Sequence, residues 1–295
     1  SYGRTAKGRA LVNVVETQED EKITMILRVD AFDEDRFLIS ATIKGLVKKT
    51  PLNAYSRPRA GGIIALGLDE GDSLVGVNIC SKGDSIVLGT KNGMSIRFDE
   101  ANARAMGRSA VGVRGIRLAE DDVVCDMVVT DGSGTLMTIC ENGYGKRTSV
   151  EEYRSQTRGG KGIIDIRATE RNGKVVNLLS VDDEDEVMMI TKDGQIVRTD
   201  VGGVSGNGRN TQGVRCISLR KGDKLKSVAR IPQEEPEIPG GDDPQKASSE
   251  GPDSPVDPDS PPGSDAPPSA GPADGTNAGG DNASSGPDST PSGEE

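Results

Sequence analysis

Histidine and tryptophan are absent from the 295 residues, and four tyrosines with three phenylalanines make up the whole aromatic complement. Without histidine no Ser-His-Asp or Cys-His constellation can form. No G-x-x-x-x-G-K-[ST] phosphate loop occurs either. Seven aromatics are too few for the stacking platforms that single-stranded nucleic acid needs. The four cysteines, Cys80, Cys125, Cys140 and Cys216, lie far apart with no C-x-x-C pair. They predict reduced core side chains, since structural zinc wants four convergent ligands. No apolar run approaches the roughly 18 residues of a membrane span. The start, SYGRTAKGRALVNVV, has neither a signal peptide's n- and h-regions nor an initiator methionine. The expectation is a fragment of a longer cytoplasmic polypeptide that is not an enzyme by itself and holds no metal or cofactor.

What is present divides in two. The net charge of −11 is unevenly spread. From Pro232 onward there are fifteen acidic residues and one basic, Lys246; residues 1–231 therefore hold 35 Lys and Arg against 32 Asp and Glu, a net of +3. The segment 232–295 is nearly pure Pro, Gly, Ser, Asp, Ala and Asn, with almost nothing to bury, which predicts a disordered acidic tail. Residues 1–231 suit one large all-β domain or two small ones.

The body repeats itself. Five copies of one motif align on a glycine: RTAKGRALVNV at Gly8, RPRAGGIIALGL at Gly62, RSAVGVRGIRL at Gly112, RGGKGIIDIRA at Gly162 and RNTQGVRCISL at Gly213. Apolar side chains recur four and six residues later, as in Leu66 and Leu68, or Ile116 and Leu118, a period of two that predicts a strand with one buried face. Between these copies lie TIKGLVKKT, TKNGMSIRF, CENGYGKRT and TKDGQIVRT, turning at Gly45, Gly93, Gly143 and Gly194. Asn-Gly and Asp-Gly between alternating segments are hairpin signals, because the turn needs residues tolerant of positive φ. Further β-rich runs, LVGVNI (74–79) and DSIVLGT (84–90), fill the unit. About four short strands every ~50 residues is the pattern of a propeller-like array. Five opening motifs against four hairpins imply that the chain begins inside a repeat.

The segments RTAKGRALVN, AVGVRGIRL, ENGYGKRTSVEEY, ATERNGKVV, MMITKDGQIVRT and GRNTQGV resemble the C-terminal domain of the A subunit of bacterial DNA gyrase. The resemblance covers nearly all of residues 1–231, and an acidic tail fits it. It implies a β-pinwheel of about six four-stranded blades that exchange strands with their neighbours. It further implies duplex DNA bound and wrapped around the rim, so that strand passage acquires a hand and the holoenzyme introduces negative supercoils. The implied partners are double-stranded DNA, the rest of the A subunit, and the B subunit, which binds the ATP. The implied location is the bacterial cytoplasm, at the nucleoid. One departure stands out. The family's Q-R-R-G-G-[RK]-G box belongs to the first blade, which would fall before Ser1. Its nearest match here, Gln156-Thr157-Arg158-Gly159-Gly160-Lys161-Gly162, differs at Thr157 and occupies the fourth opening motif.

Wrapping needs cations repeated around a curved surface, each gaining affinity by releasing counterions from phosphate. The candidates in the opening loops are Arg4, Lys7, Arg9, Arg57, Arg59, Arg108, Gln156, Arg158, Lys161 and Arg209. In the hairpins they are Lys48, Lys49, Arg97, Lys146, Arg147 and Arg198. Arg158 and Lys161 lead, because their glycines let backbone N–H groups approach phosphate. The plainer alternatives are that the opening arginines clamp neighbouring blades and that the hairpin cations merely protect strand edges. Tyr55 and Tyr153 sit where other repeats carry Ala103 and Val204, which marks them as packing residues. The run DDEDE (182–186) is expected to be a solvated turn. Two further functions remain: the C-terminal domain of topoisomerase IV, binding DNA without wrapping it, and a propeller scaffold for protein partners. The tail is expected to compete with DNA for the rim, its 64 residues reaching about 40–48 Å r.m.s..

Overall fold

The computed structural model describes residues 23–59 and 61–231. Arg4, Lys7, Arg9 and the acidic tail lie outside them. The chain divides into two units, Ser1–Glu237 and Ile238–Glu295, and the first holds all the described residues.

All regular structure among the described residues is β-strand, apart from three single 3-10 turns. Each of the four TIKG-type segments makes a hairpin: β1 (Arg36–Thr42) with β2 (Leu46–Pro51), β4 (Ser85–Thr90) with β5 (Met94–Asp99), β8 (Thr135–Cys140) with β9 (Tyr144–Ser149), and β12 (Glu186–Thr191) with β13 (Ile196–Asp200). The turn glycine sits at positive φ in all four, between 80° and 85°, where a side chain would be strained. Its N–H closes the turn on the residue three before it, as in Gly45 to Thr42 O at 2.9 Å. Where that residue is threonine, its hydroxyl also accepts the N–H of the residue after the glycine: Leu46 N–H donates to Thr42 Oγ1 at 3.2 Å, Met94 N–H to Thr90 Oγ1 at 3.1 Å, and Gln195 N–H to Thr191 Oγ1 at 3.1 Å.

A third strand then lies beside the first of each hairpin: β3 (Leu74–Ser81), β7 (Val124–Thr130), β11 (Val175–Val181) and β15 (Leu225–Ile231). The fourth strand comes from the next repeat. β6 (Val113–Arg114), β10 (Ile163–Ile164) and β14 (Val214–Arg215) add to the far side of β2, β5 and β9, giving the sheet orders β3-β1-β2-β6, β7-β4-β5-β10 and β11-β8-β9-β14. The exchanged residues lie 66 to 71 positions beyond their partners, pairing for example Val47 with Val113, Ser95 with Ile163 and Gly145 with Val214. The fourth sheet, β13-β12-β15, has three strands within the described residues.

β7 packs against β3 and β11, and β15 against β11, so these strands form the inner edges of consecutive blades. The exchanged strands stand at the opposite, outer edges. Burial follows. Ile39, Ile86, Leu88, Ile96 and Phe98 make a continuous core between the first two blades, and Met137, Ile139, Val187 and Met189 another between the last two. Cys80 and Cys140 are buried, Cys125 and Cys216 half-buried, and all four are free thiols. Burial pushes the Cys80 and Cys140 thiols up to about 12.

The opening motif is a strand only where it has a hairpin to join. The copies at 113, 163 and 214 make two-residue strands, and Ile116, Ile166 and Ile217 behind them are buried. The copy at 57–68 makes none, and Leu68 is exposed, contrary to its place in the period-two pattern. No described hairpin is left to receive that copy.

Candidate nucleic-acid interface

The box-like loop is held against the preceding exchanged strand. Gly159 N–H donates to Gly115 O at 2.6 Å, and Arg117 N–H donates to Gly160 O at 2.8 Å. Arg158 reaches across the same seam, its Nε to Asn102 O at 2.9 Å and its Nη1 to Arg114 O at 3.0 Å. Arg209 repeats the move one blade on, with Nη1 to Ile164 O at 3.0 Å. Both arginines clamp neighbouring blades. Gly159 and Gly162 carry the positive φ the loop requires, 80° and 76°. Lys161 projects from this loop, exposed, beside a cavity of about 300 Å³ that it lines with Arg117. Gln156 is half-buried; its backbone N–H donates to Arg97 O at 2.8 Å, while its side-chain nitrogen is buried without a partner.

The hairpin cations other than Arg198 turn inward. Lys48 and Lys146 are buried, 2% and 0% exposed. Lys48 donates to Ala65 O at 2.5 Å and to Arg108 O. Lys146 lies 3.3 Å from the Asp165 carboxylate and donates to Thr148 Oγ1 at 2.8 Å. Asp165 also accepts from Tyr153 Oη at 2.6 Å and Thr138 Oγ1 at 2.8 Å, which makes a sealed polar cluster. Burial lowers the Lys146 ammonium despite Asp165, and raises the Tyr153 phenol, the nearby Asp165 charge adding to it. Lys49 is buried against Glu100, with its ammonium 4.7 Å from the Phe37 ring. Arg97 donates to Val150 O at 3.0 Å and Tyr153 O at 3.3 Å; Arg147 donates to Val204 O at 2.6 Å and pairs with Asp183. These three reach the turn after the next blade's second hairpin strand, so the slot is an inter-blade clamp. Arg198 is exposed and pairs with Glu186. The acidic run is not simply solvated: Arg230 binds Asp182 at 2.9 Å and Asp185 at 2.6 Å. Tyr153 is buried and Tyr55 half-buried, its hydroxyl 3.3 Å from Ala65 O.

Other cations occupy the outer surface. Arg57 and Arg59 are exposed, and Arg59 lines one cavity of about 430 Å³ with half-buried Arg108. Arg114, Arg117, Arg167 and Arg215 are exposed on or just after the exchanged strands, and Arg104 and Arg154 on the loops leading to them. Arg215 is tied to the Tyr144 hydroxyl at 3.0 Å, a bond that lowers the phenol's pKa. None of these six stands among the cations expected from the sequence, although four of them share a readable spacing, two or five positions past an anchoring glycine: Arg114 and Arg117, Arg167, Arg215.

The model of the DNA gyrase C-terminal domain, beta-propeller, matches residues 36–81, 84–131, 134–182 and 185–232, one segment for each sheet. The chain belongs to the DNA gyrase C-terminal domain family. It is 46% identical over 228 residues to the DNA gyrase A subunit of Salmonella typhimurium, covering 77% of this chain and 26% of that protein. To the gyrase A subunit of Mycolicibacterium smegmatis it is 41% identical over 235 residues, covering 79% and 28%. The chain thus spans about a quarter of the length of the curated relatives it matches. Among solved structures, a DNA gyrase A C-terminal domain superposes with a TM-score of 0.69 at 24% identity, covering 77% of this chain and 76% of the other. A C-terminal domain of DNA topoisomerase IV gives 0.70 at 23%, covering 76% and 70%. At such identities the agreement concerns the fold. For this gyrase-type domain, each matched segment runs through one hairpin and the inner strand beside it, and the exchanged strand falls in the segment after.

Proposed function

We propose that this domain binds duplex DNA along its outer edge and wraps it, supplying the hand of strand passage in a gyrase-type holoenzyme formed with the rest of the A subunit, together with the B subunit. One observation carries the reading. Strand exchange puts Arg114, Arg117, Lys161 and Arg167 at the outer edges of consecutive blades, exposed, with no carboxylate partner among the described residues. A recurring band of this kind suits phosphates at a regular rise rather than any base sequence. Family membership supports the same reading. The box arginine acts as a positioning residue in it, and Lys48 and Lys146, sealed inside, are not contacts.

Relaxing a nicked circle with the domain bound, ligating it and reading the linking number tests wrapping. A shift of one sign that grows with bound domain is expected; binding without any shift would exclude it. The contacts are tested separately by Arg117→Gln with Lys161→Gln. Affinity should fall at low salt, and the slope of log K against log salt should flatten by about 0.9 per lost phosphate contact, close to 2 for the pair. An unchanged slope would remove these residues from the interface. The sequence supports a further role for residues 232–295, as an internal competitor for the same cations. Truncation at Pro232 should raise DNA affinity at low salt and leave it unchanged at high salt, where screening has removed the competition; equal affinity at low salt would dismiss the tail.

A further inference from the structure

The inner edges of the blades gather a second set of cations, on the face where the hairpins turn. Two residues before the turn glycines stand Ile43, Lys91, Glu141 and Lys192. Each of the first three gives its carbonyl to the inner strand of the following blade: Val124 N–H to Ile43 O at 3.0 Å, Val175 N–H to Lys91 O at 3.0 Å, Leu225 N–H to Glu141 O at 2.8 Å. This stair of backbone bonds brings successive side chains to one mouth. There a cavity of about 480 Å³ is lined by Lys91, Lys174, Lys192 and Lys226, with Ile43, Leu74, Val75 and Val124 among its apolar wall. All four lysines are exposed. Lys174 is steadied by Asn92. Glu141 is the only carboxylate in the lining, and Lys224 already pairs with it at 2.7 Å.

Four ammonium groups therefore share one cavity with a single lining carboxylate, Glu141, which lies near Lys192 and also pairs with Lys224, so the cluster keeps a net positive charge. The fold does not require a lysine at two of these positions. The slot of Lys91 and Lys192 takes isoleucine in the first blade and glutamate in the third, with the carbonyl bond kept in both. Like charges crowded in one concavity repel, and a polyvalent anion bound between them relieves that repulsion. A duplex is too broad to enter, so this site is separate from the outer band.

We propose that the mouth is a binding site for a compact polyvalent phosphate, of the di- and triphosphate class. The probe is inorganic tripolyphosphate, titrated calorimetrically into the 295-residue chain at low salt. Saturable binding with one site per chain is expected. Lys91→Gln with Lys192→Gln should weaken it on the order of tenfold, and Lys226→Gln alone should weaken it by a smaller factor, which guards against a misfolded double variant. Arg114→Gln with Arg117→Gln, on the outer edge, should leave it unchanged. Duplex affinity of the Lys91 and Lys192 variant should match that of the parent, so this result and the wrapping result stand or fall separately. Absence of saturable binding would overturn the proposal, as would equal affinity in the lysine variants or loss in the outer-edge variant.

Discussion

Gly93→Ala should lower the melting temperature about two to four times as much as Gly194→Ala, although the two glycines occupy the same turn position. Both have positive φ, +85° and +83°, so alanine at either carries the left-handed penalty of about 1–2 kcal/mol. At Gly194 that is the whole cost, because a Cβ there meets nothing within 4 Å. At Gly93 a Cβ would overlap the carbonyl of Ile166. The same glycine's carbonyl receives Asp165 N–H at 2.9 Å and Ile166 N–H at 3.2 Å, so the exchanged strand must move away to make room. Losing those two bonds at about 1 kcal/mol each, with part of the burial of Ile166, brings the total to about 4 kcal/mol. For a body of this size that is a fall of about 8–16 °C, against about 2–8 °C for Gly194→Ala. Calorimetry of the two variants decides it. Equal losses would mean that the exchanged strand contributes little to stability.

Asp165→Ala is expected to be still more damaging, because it leaves Lys146 without its counter-charge in a site with no access to water. Breaking a buried pair by removing one partner typically costs about 3–5 kcal/mol, and Tyr153 and Thr138 lose their acceptor as well. Replacing both members with apolar residues, Lys146→Met with Asp165→Leu, should recover most of the loss, since the penalty lies in the orphaned charge. The variant should also carry a pH signature. The folded Lys146 ammonium already lies below its ordinary 10.5, burial being the cause, and removing Asp165 drops it further. Between that lowered value and 10.5 the unfolded chain binds more protons than the folded one, so stability rises with pH across this window. The deficit of Asp165→Ala relative to the parent should therefore narrow from pH 7 towards pH 10. A constant deficit would mean that the damage is not electrostatic.

These two positions separate what could be read from the chain from what could not. The sequence alone determined the unit. Four x-x-Gly turns, five opening motifs and period-two burial between them require short strands in a repeat of about fifty residues, because turn chemistry and side-chain alternation are local properties. It also determined that Tyr153 is a packing residue, from the Ala103 and Val204 of its sister repeats. Only the tertiary structure decided where the opening motif goes. Its partner strand lies 66 to 71 residues back, and nothing in the local pattern of Val113 or Ile163 names Val47 or Ser95 as the neighbour. That one decision sorts the cations. A lysine at 146 and a lysine at 161 are alike in the sequence. The exchanged strand carries Asp165 over the first and seals it, while the loop entering that strand leaves the second in solvent. Charge that is free to meet phosphate depends on which carbonyls and carboxylates come from the next blade, and those are long-range contacts that no spacing within one repeat records.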